Sequence, residues 1–419
     1  MPPERVSFII VPENSPAPAD GGSASPAAST ASSRARLLAA IALVTGGFGI
    51  GITEFVTMGL LPQIAEGLAV SIPQAGHTIS AYAVGVVVGA PLIALGAARL
   101  PRRAVLITLM LLFAGGNALT AIAPTYATMM GARFLAGLPH GGFFGLAALV
   151  AISMAPKGQG GRAVGTVMLG IPIAMVVGVP SGTWIGQELG WRVAFWACTA
   201  IGLLTALLVR LWVPHTAGDR DNSWRTELSA FRNLQFWITV LVGAVGFGGF
   251  FAMYSYIAPT VTEVTGMGQR WVPIFLLVYG IVSIIGTSGG GRLADWSVLR
   301  TLVLTGVGSM VSLLAFWQTQ QWLIPALITL VVVGLSSSAW VIALNLRLIQ
   351  VAGRARTLGA AMIHSSLNTA NALGAWLGGL VITLGYGYQA PSLVGAALSF
   401  AGLILLALSL LVHRRSQAV

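Results

Sequence analysis

Twelve stretches of about 20 apolar residues follow one another along the chain, each long enough to cross a hydrocarbon core of roughly 30 Å as a helix. They centre near residues 50, 85, 113, 140, 174, 203, 246, 282, 309, 334, 371 and 402. Only 8% of the 419 residues are charged and 56% are hydrophobic, whereas a soluble domain carries about 25% charged residues. Backbone in lipid must satisfy its own hydrogen bonds. The expected fold is therefore an all-α membrane protein with twelve transmembrane helices.

The net charge of +11 raises the question of nucleic acid, and the positions of the bases answer it. If the N-terminus is cytoplasmic, the even loops hold Arg99, Arg102, Arg103, Lys157, Arg162, Arg210, Arg220, Arg225, Arg232, Arg292, Arg300, Arg347, Arg354 and Arg356, and the tails hold Arg5, Arg34, Arg36, Arg414 and Arg415. Of 22 bases, only Arg192 and Arg270 fall outside, with Arg133 inside a helix. This bias follows the positive-inside rule. It puts both termini in the cytoplasm and argues against nucleic-acid binding.

Residues 1–36, rich in Pro, Ala, Ser and Gly, are expected to be a disordered cytoplasmic tail. They lack the apolar core of a cleaved signal peptide, so the first helix is expected to act as an uncleaved signal. A single cysteine, Cys198, allows no internal disulfide or cysteine-based metal site. The glycine-rich runs at 47–51 and 286–295 have no phosphate-loop lysine and follow no strand. No cofactor and no metal is expected, and ATP is not a direct energy source.

Transporter folds are often built from duplicated halves. A shift of 197 residues lays Pro62 on Pro259, Tyr82 on Tyr279, Arg103 on Arg300 and Gly137 on Gly334. The expected organisation is an N-terminal six-helix bundle at 37–213, a charged cytoplasmic linker at 214–233, a C-terminal six-helix bundle at 234–413 and a short tail at 414–419. In such a pair of bundles a cavity lies between the halves near the midplane, opened to each side in turn by rocking.

Three motifs carry a family resemblance. "GRLADWSVLR" at 291–300 follows the eighth helix and resembles the Gly-x-Leu-Ala-Asp…Arg loop of the major facilitator superfamily, with Asp295 as its acid and Arg300 as its closing base. The N-half copy, "GAARLPRR" at 96–103, has Ala98 where the acid would stand and keeps Arg99, Arg102 and Arg103. The fifth helix repeats a small residue every fourth position, at Gly170, Ala174, Gly178, Gly182 and Gly186, giving one face suited to close helix packing. Pro180 withdraws a backbone donor inside that stripe, so a kink is expected. The pattern resembles the fifth-helix signature of drug:proton antiporters. With "ITEFVTMGLLPQIA" and "ARFLAGLPHGGFFG", the chain resembles the arabinose-efflux-permease type of that branch over about residues 37–413. The resemblance implies that the 291–300 loop is a charge latch gating the cytoplasmic side.

Glu54 is the only carboxylate well inside a helix, where a charge costs about 2.5 to 3.5 kcal/mol on insertion scales. Arg133 is its counterpart on the fourth helix. Counting from the outer helix ends at 1.5 Å per residue, both lie roughly 10 to 12 Å deep and can meet, directly or through water. Burial favours a neutral carboxyl and a nearby guanidinium favours the carboxylate. A change in access or distance would then load or unload a proton on Glu54. His140 shares the Arg133 face and either extends a polar path toward the cytoplasm or bonds a neighbouring carbonyl. The shift of 197 places Phe251 and Leu330 at the equivalent C-half positions, so the coupling site is expected to be asymmetric.

His364, Asn368 and Asn371 form a polar stripe on the eleventh helix that should face a cavity or another helix. With Tyr254, Tyr256, Trp340 and Asn345 they are the expected C-half substrate contacts, each equally open to a packing role. The expected function is export of a small organic molecule, such as a drug, sugar or nucleoside, by proton antiport across the cell membrane, with the chain acting as a monomer. A proton symporter or passive facilitator on the same fold is the first alternative. A receptor or membrane enzyme is the second, disfavoured because paired acid and base groups are missing.

Overall fold

The computed structural model describes residues 32–97, 100–156, 159–215, 229–353 and 356–417. The tail to residue 31, linker residues 216–228, and Ala98, Arg99, Lys157 and Arg354 lie outside the described residues. Among the described residues, twelve helices cross the molecule: α1 Ser33–Gly59, α2 Ile72–Ile93, α3 Arg102–Ile122, α4 Tyr126–Met154, α5 Arg162–Leu189, α6 Trp191–Trp212, α7 Leu234–Tyr254, α8 Gln269–Trp296, α9 Val298–Thr319, α10 Leu323–Val351, α11 Met362–Tyr386 and α12 Ala390–Val412. Every apolar centre read from the sequence falls inside its helix. With an even number of crossings, the start of α1 and the end of α12 lie at one end of the bundle, here called the terminal end, opposite a distal end.

Helix boundaries follow local chemistry. Ser32 caps α1, its hydroxyl accepting from the Ala35 amide at 3.2 Å, so the helix begins inside the stretch read as tail. Thr125 and Thr128 form a reciprocal capping box at the start of α4. The chain ahead of α7 closes with a 3-10 turn at Ser229–Arg232 and an Asn233 cap.

Prolines and glycines interrupt several spans. α4 is split at Leu138, where Pro139 opens its second segment. In α5 the expected kink takes the form of a π-turn at Ala174–Gly178, immediately before the segment that Pro180 opens. The ring of Pro180 would crowd the carbonyl four residues earlier, and the wider turn accommodates it. α7 breaks at Phe247.

Contacts repeat between the halves with a regularity that the shift of 197 anticipates. In the first half α3 packs on α6 and α4, α2 on α4, and α1 on α6 and α5; in the second, α9 packs on α12 and α10, α8 on α10, and α7 on α12 and α11. Individual positions match too. A Cβ on Gly89 would fall on the Leu138 carbonyl oxygen, and one on Gly286 would stand 2.8 Å from that of Leu335, both offset by 197. Gly137 lies against Tyr82 and Gly334 against Tyr279. The halves meet chiefly along α2 with α11 and α5 with α8.

The α5 stripe has a definite partner. Cβ atoms on Gly170, Gly178, Gly182 and Gly186 would meet α1 at Gly47–Phe48, Ile52, Val56 and Leu60 respectively. The small residues let two backbones approach within one half, close to the residue that carries the membrane carboxylate.

Candidate functional site

α1 delivers two adjacent polar residues to mid-depth, and they point different ways because successive helical residues are rotated by about 100°. Thr53 faces its own half. Its hydroxyl donates to Asn117 Oδ1 on α3 at 2.5 Å, and Asn117 Nδ2 donates to the Phe113 carbonyl at 2.9 Å. Glu54 faces the other half. Its Oε1 accepts from Asn371 Nδ2 on α11 at 3.4 Å, and its Oε2 stands 4.0 Å from His140 Nδ1 on α4. Glu54 is buried, with 5% of its surface exposed.

Arg133 is fully buried and reaches the same depth as Glu54, yet no direct ion pair forms between them. Its fork is spent on the neighbouring residue: Nη1 donates to Thr53 Oγ1 at 3.0 Å and Nη2 to the Thr53 carbonyl at 3.1 Å. The guanidinium lies over the Tyr82 ring at 4.4 Å and near that of Phe195 at 5.5 Å. The planar fork suits two oxygens of one residue, and aromatic faces complete its surroundings. The sequence locates both charges but not the threonine that stands between them.

His140 does not bond a neighbouring carbonyl. Its Nδ1 shares a hydrogen bond of 3.1 Å with the Tyr82 hydroxyl, and its ring lies 5.6 Å from that of His364 across the boundary between the halves. His364 is half-buried and stacks on Phe144 at 5.1 Å. Thr53, Asn117, Tyr82 and Phe144 thus belong to the site although sequence reasoning assigned them no role there. Tyr82 carried a signal as one of the repeat-matched positions, and Thr53 and Phe144 lie inside the two quoted motifs.

The expected C-half contacts divide into those that reach the boundary and those that do not. Asn371 reaches it. Asn368 donates to the His364 carbonyl on its own helix at 3.0 Å, leaving its Oδ1 without a partner. Tyr254 also reaches it, packed at 4.9 Å from Phe250, 4.7 Å from Tyr279 and 6.1 Å from Phe55 of the N-half, with its hydroxyl unpartnered. Half-buried Asn345 leaves Oδ1 unpartnered. Trp340 instead stacks on Phe247 at 5.9 Å and lies against Gly246, inside the C-half. Tyr256 is a distal wedge, its hydroxyl donating to the Ala375 carbonyl at 2.7 Å while glycines on both α2 and α11, Gly76 and Gly379, leave room for it.

The distal end is closed between the halves. Gln63 Nε2 donates to Gln269 Oε1 at 3.0 Å, and Gln187 Nε2 donates to the Gln269 carbonyl at 3.2 Å. Ser80 on α2 donates to the Ala372 carbonyl on α11 at 3.0 Å, nearer the centre. Among the described residues, the hydrogen bonds and ring contacts joining the halves run from this distal seal down to the Phe144–His364 stack and no further toward the terminal end.

At the terminal end the loop residues have these partners in the distally closed arrangement. Asp295 is exposed and forms no ion pair with a described base. Arg300 turns its guanidinium over Trp296 at 4.8 Å. Arg103 binds His215 Nδ1 at 2.9 Å and the Arg210 carbonyl, tying the start of α3 to the end of α6.

A sequence profile described as the Major Facilitator Superfamily matches residues 43–362. The inner membrane transport protein YdhP of Escherichia coli (strain K12) is 40% identical over 379 residues, covering 90% of this chain and 97% of that protein. A chloramphenicol resistance protein of Streptomyces lividans is 33% identical, covering 78% of this chain and 84% of that one. Among solved structures, a bacterial homologue of the human lysosomal transporter Spinster, in an inward-facing and unoccupied conformation, superposes with a TM-score of 0.68 at 18% identity, over 90% of this chain and 96% of that one.

Proposed function

The chain belongs to the Major Facilitator Superfamily, a family of membrane transporters rather than enzymes, and from that premise we propose that it exports a small organic molecule in exchange for protons. Its termini face the cytoplasm, on the strength of the base distribution, and the distal seal faces outward. Glu54 is the group that gains and loses the proton.

The observation that carries this reading is the position of Glu54. It is the one described carboxylate away from a helix end, it is buried, and it is held between the two halves by Asn371 of one and the His140 helix of the other. A group so placed changes both its access and its neighbours whenever the halves rock. Arg133, fixed on Thr53, supplies a stationary positive charge one residue away. Cargo and proton compete for the same region: a bound organic molecule separates Glu54 from Asn371, and proton loading restores their contact.

The wall beside Glu54 is aromatic, with Phe55 stacked on Phe251 and meeting Tyr254 edge to face across the halves. Such a surface suits a flat or apolar molecule with few charges. The chloramphenicol resistance protein among the relatives makes chloramphenicol a reasonable first probe.

Inverted membrane vesicles with an acidified lumen test the proposal. Accumulation of probe in the parent, its collapse when the gradient is dissipated, and loss of gradient-driven accumulation in Glu54→Gln with binding retained are expected. Accumulation indifferent to the gradient would replace the exporter with a facilitator. Movement of probe and protons in the same direction would make it a symporter.

A further inference from the structure

A proton on Glu54 needs a way out, and the closed distal end denies it one. On the terminal side two imidazoles, one from each half, stand in line with the carboxylate. We propose that His140 and His364 form the path by which the Glu54 proton reaches solvent at the terminal end, a path complete only while α4 and α11 are docked. The proposal rests on Glu54 as the carrier.

Order and access carry the argument. Glu54 Oε2 is 4.0 Å from His140 Nδ1, and the His140 ring is 5.6 Å from that of His364. Glu54 is 5% exposed and His140 1% exposed, whereas His364 is half-buried, so the series ends at the group nearest water. On α4 His140 follows Arg133 by seven residues, and on α11 His364 precedes Asn371 by seven. Both displacements are two helical turns toward the terminal end. Stacking of His364 on Phe144 at 5.1 Å holds the C-half imidazole against the N-half, and the Tyr82 hydroxyl orients the His140 ring through Nδ1.

The transfer balances without any further reactant. The Glu54 O–H bond breaks and an N–H bond forms on His140 Nδ1, whose hydrogen bond with Tyr82 then runs from the ring N–H to the phenol oxygen, leaving a carboxylate near the Arg133 charge. The other ring nitrogen of His140 releases its proton to His364, which passes one to water, and ring reorientation resets the tautomers. The ionisable groups facing the pair are Glu54 from α1 and Tyr82 from α2, with the Arg133 guanidinium lying over the Tyr82 ring. Arg347 on α10 and Tyr254 at the end of α7 belong to helices packed on α11, Tyr256 follows just after α7, and none makes a hydrogen bond or ring contact with either histidine among the described residues. Because the two imidazoles belong to different halves, separating α4 from α11 breaks the path. A proton then cannot leak from one side to the other during rocking.

Detergent-purified full-length protein in a stopped-flow pH jump, followed with a soluble pH dye, tests the inference. The difference between parent and Glu54→Gln traces isolates the Glu54 proton. In His140→Gln and His364→Gln that difference should keep its amplitude and slow about a hundredfold, as for loss of a positioned acid–base group. Free imidazole should restore the rate in His364→Ala, a rescue that a packing role would not give. Unchanged rates in both histidine variants, or slowing without imidazole rescue, would overturn the relay while leaving the carrier standing. Identical parent and Glu54→Gln traces would remove the carrier itself.

Discussion

At the scale of single residues, the site is organised by a threonine. Thr53 accepts from both arms of the Arg133 fork and donates its own hydroxyl hydrogen bond to Asn117 Oδ1. Thr53→Val would leave Nη1 and Asn117 Oδ1 without their partner in a buried setting, a loss of about 1–3 kcal/mol, visible as a lower melting temperature of the purified protein. Arg133→Lys keeps the charge but replaces a planar fork with a point. Gradient-driven export in vesicles should fall about tenfold or more, reflecting the sensitivity of coupled sites to sub-ångström placement. Glu54 and Arg133 are legible in the sequence because an ion in an apolar run is rare and costly. Thr53, Asn117 and Tyr82 are not, because hydroxyl and amide groups are tolerated in membrane helices by bonding within or between them, as Thr57 and Thr120 do here. Spacing fixes the depth at which two helices meet. It does not say which of two adjacent side chains an incoming cation will take.

At the scale of elements, the α5 stripe is graded in its tolerance. A Cβ on Gly170 would stand 2.7 Å from the Gly47 carbonyl carbon, the Phe48 nitrogen and the Val44 oxygen, all backbone, whereas one on Gly182 would meet side-chain methyls alone, Val56 Cγ2 at 3.1 Å and Ile52 Cγ2 at 3.7 Å. Gly170→Ala is therefore expected to force α1 and α5 apart and to cost about 1–3 kcal/mol, while Gly182→Ala stays within about 0.5 kcal/mol. Thermal unfolding of the two variants side by side checks the order. The stripe itself is plain from its four-residue period, and so are the twelve spans. Its partner is not plain, since many apolar faces could receive it. The π-turn beside Pro180 is also hidden, because a proline says that a helix must adjust and not where the extra residue goes. Likewise the sequence does not separate packing from a cavity role for Tyr256 and Trp340, because an aromatic side chain fits a bundle interior as readily as a cavity.

At the scale of the whole molecule, the contacts repeat within each half, and the boundary between the halves runs along α2 with α11 and α5 with α8. One close approach governs it. A Cβ on Gly280 of α8 would fall on the Met175 carbonyl, in the π-turn of α5. Gly280→Ala should thus disfavour the distally closed arrangement and shift the population toward its alternative. Cys198 is buried, so spin labels can be directed to cysteines introduced at the exposed distal residues Glu66 and Trp322; a longer mean separation in the variant than in the parent background is the expected result, and an unchanged distance would show that the glycine is not a pivot. The amides of Gln63, Gln187 and Gln269 that fasten the distal side neither titrate nor carry charge. A door latched in this manner has the same strength in sour or briny surroundings, and the decision to open it is left to events deeper in the protein.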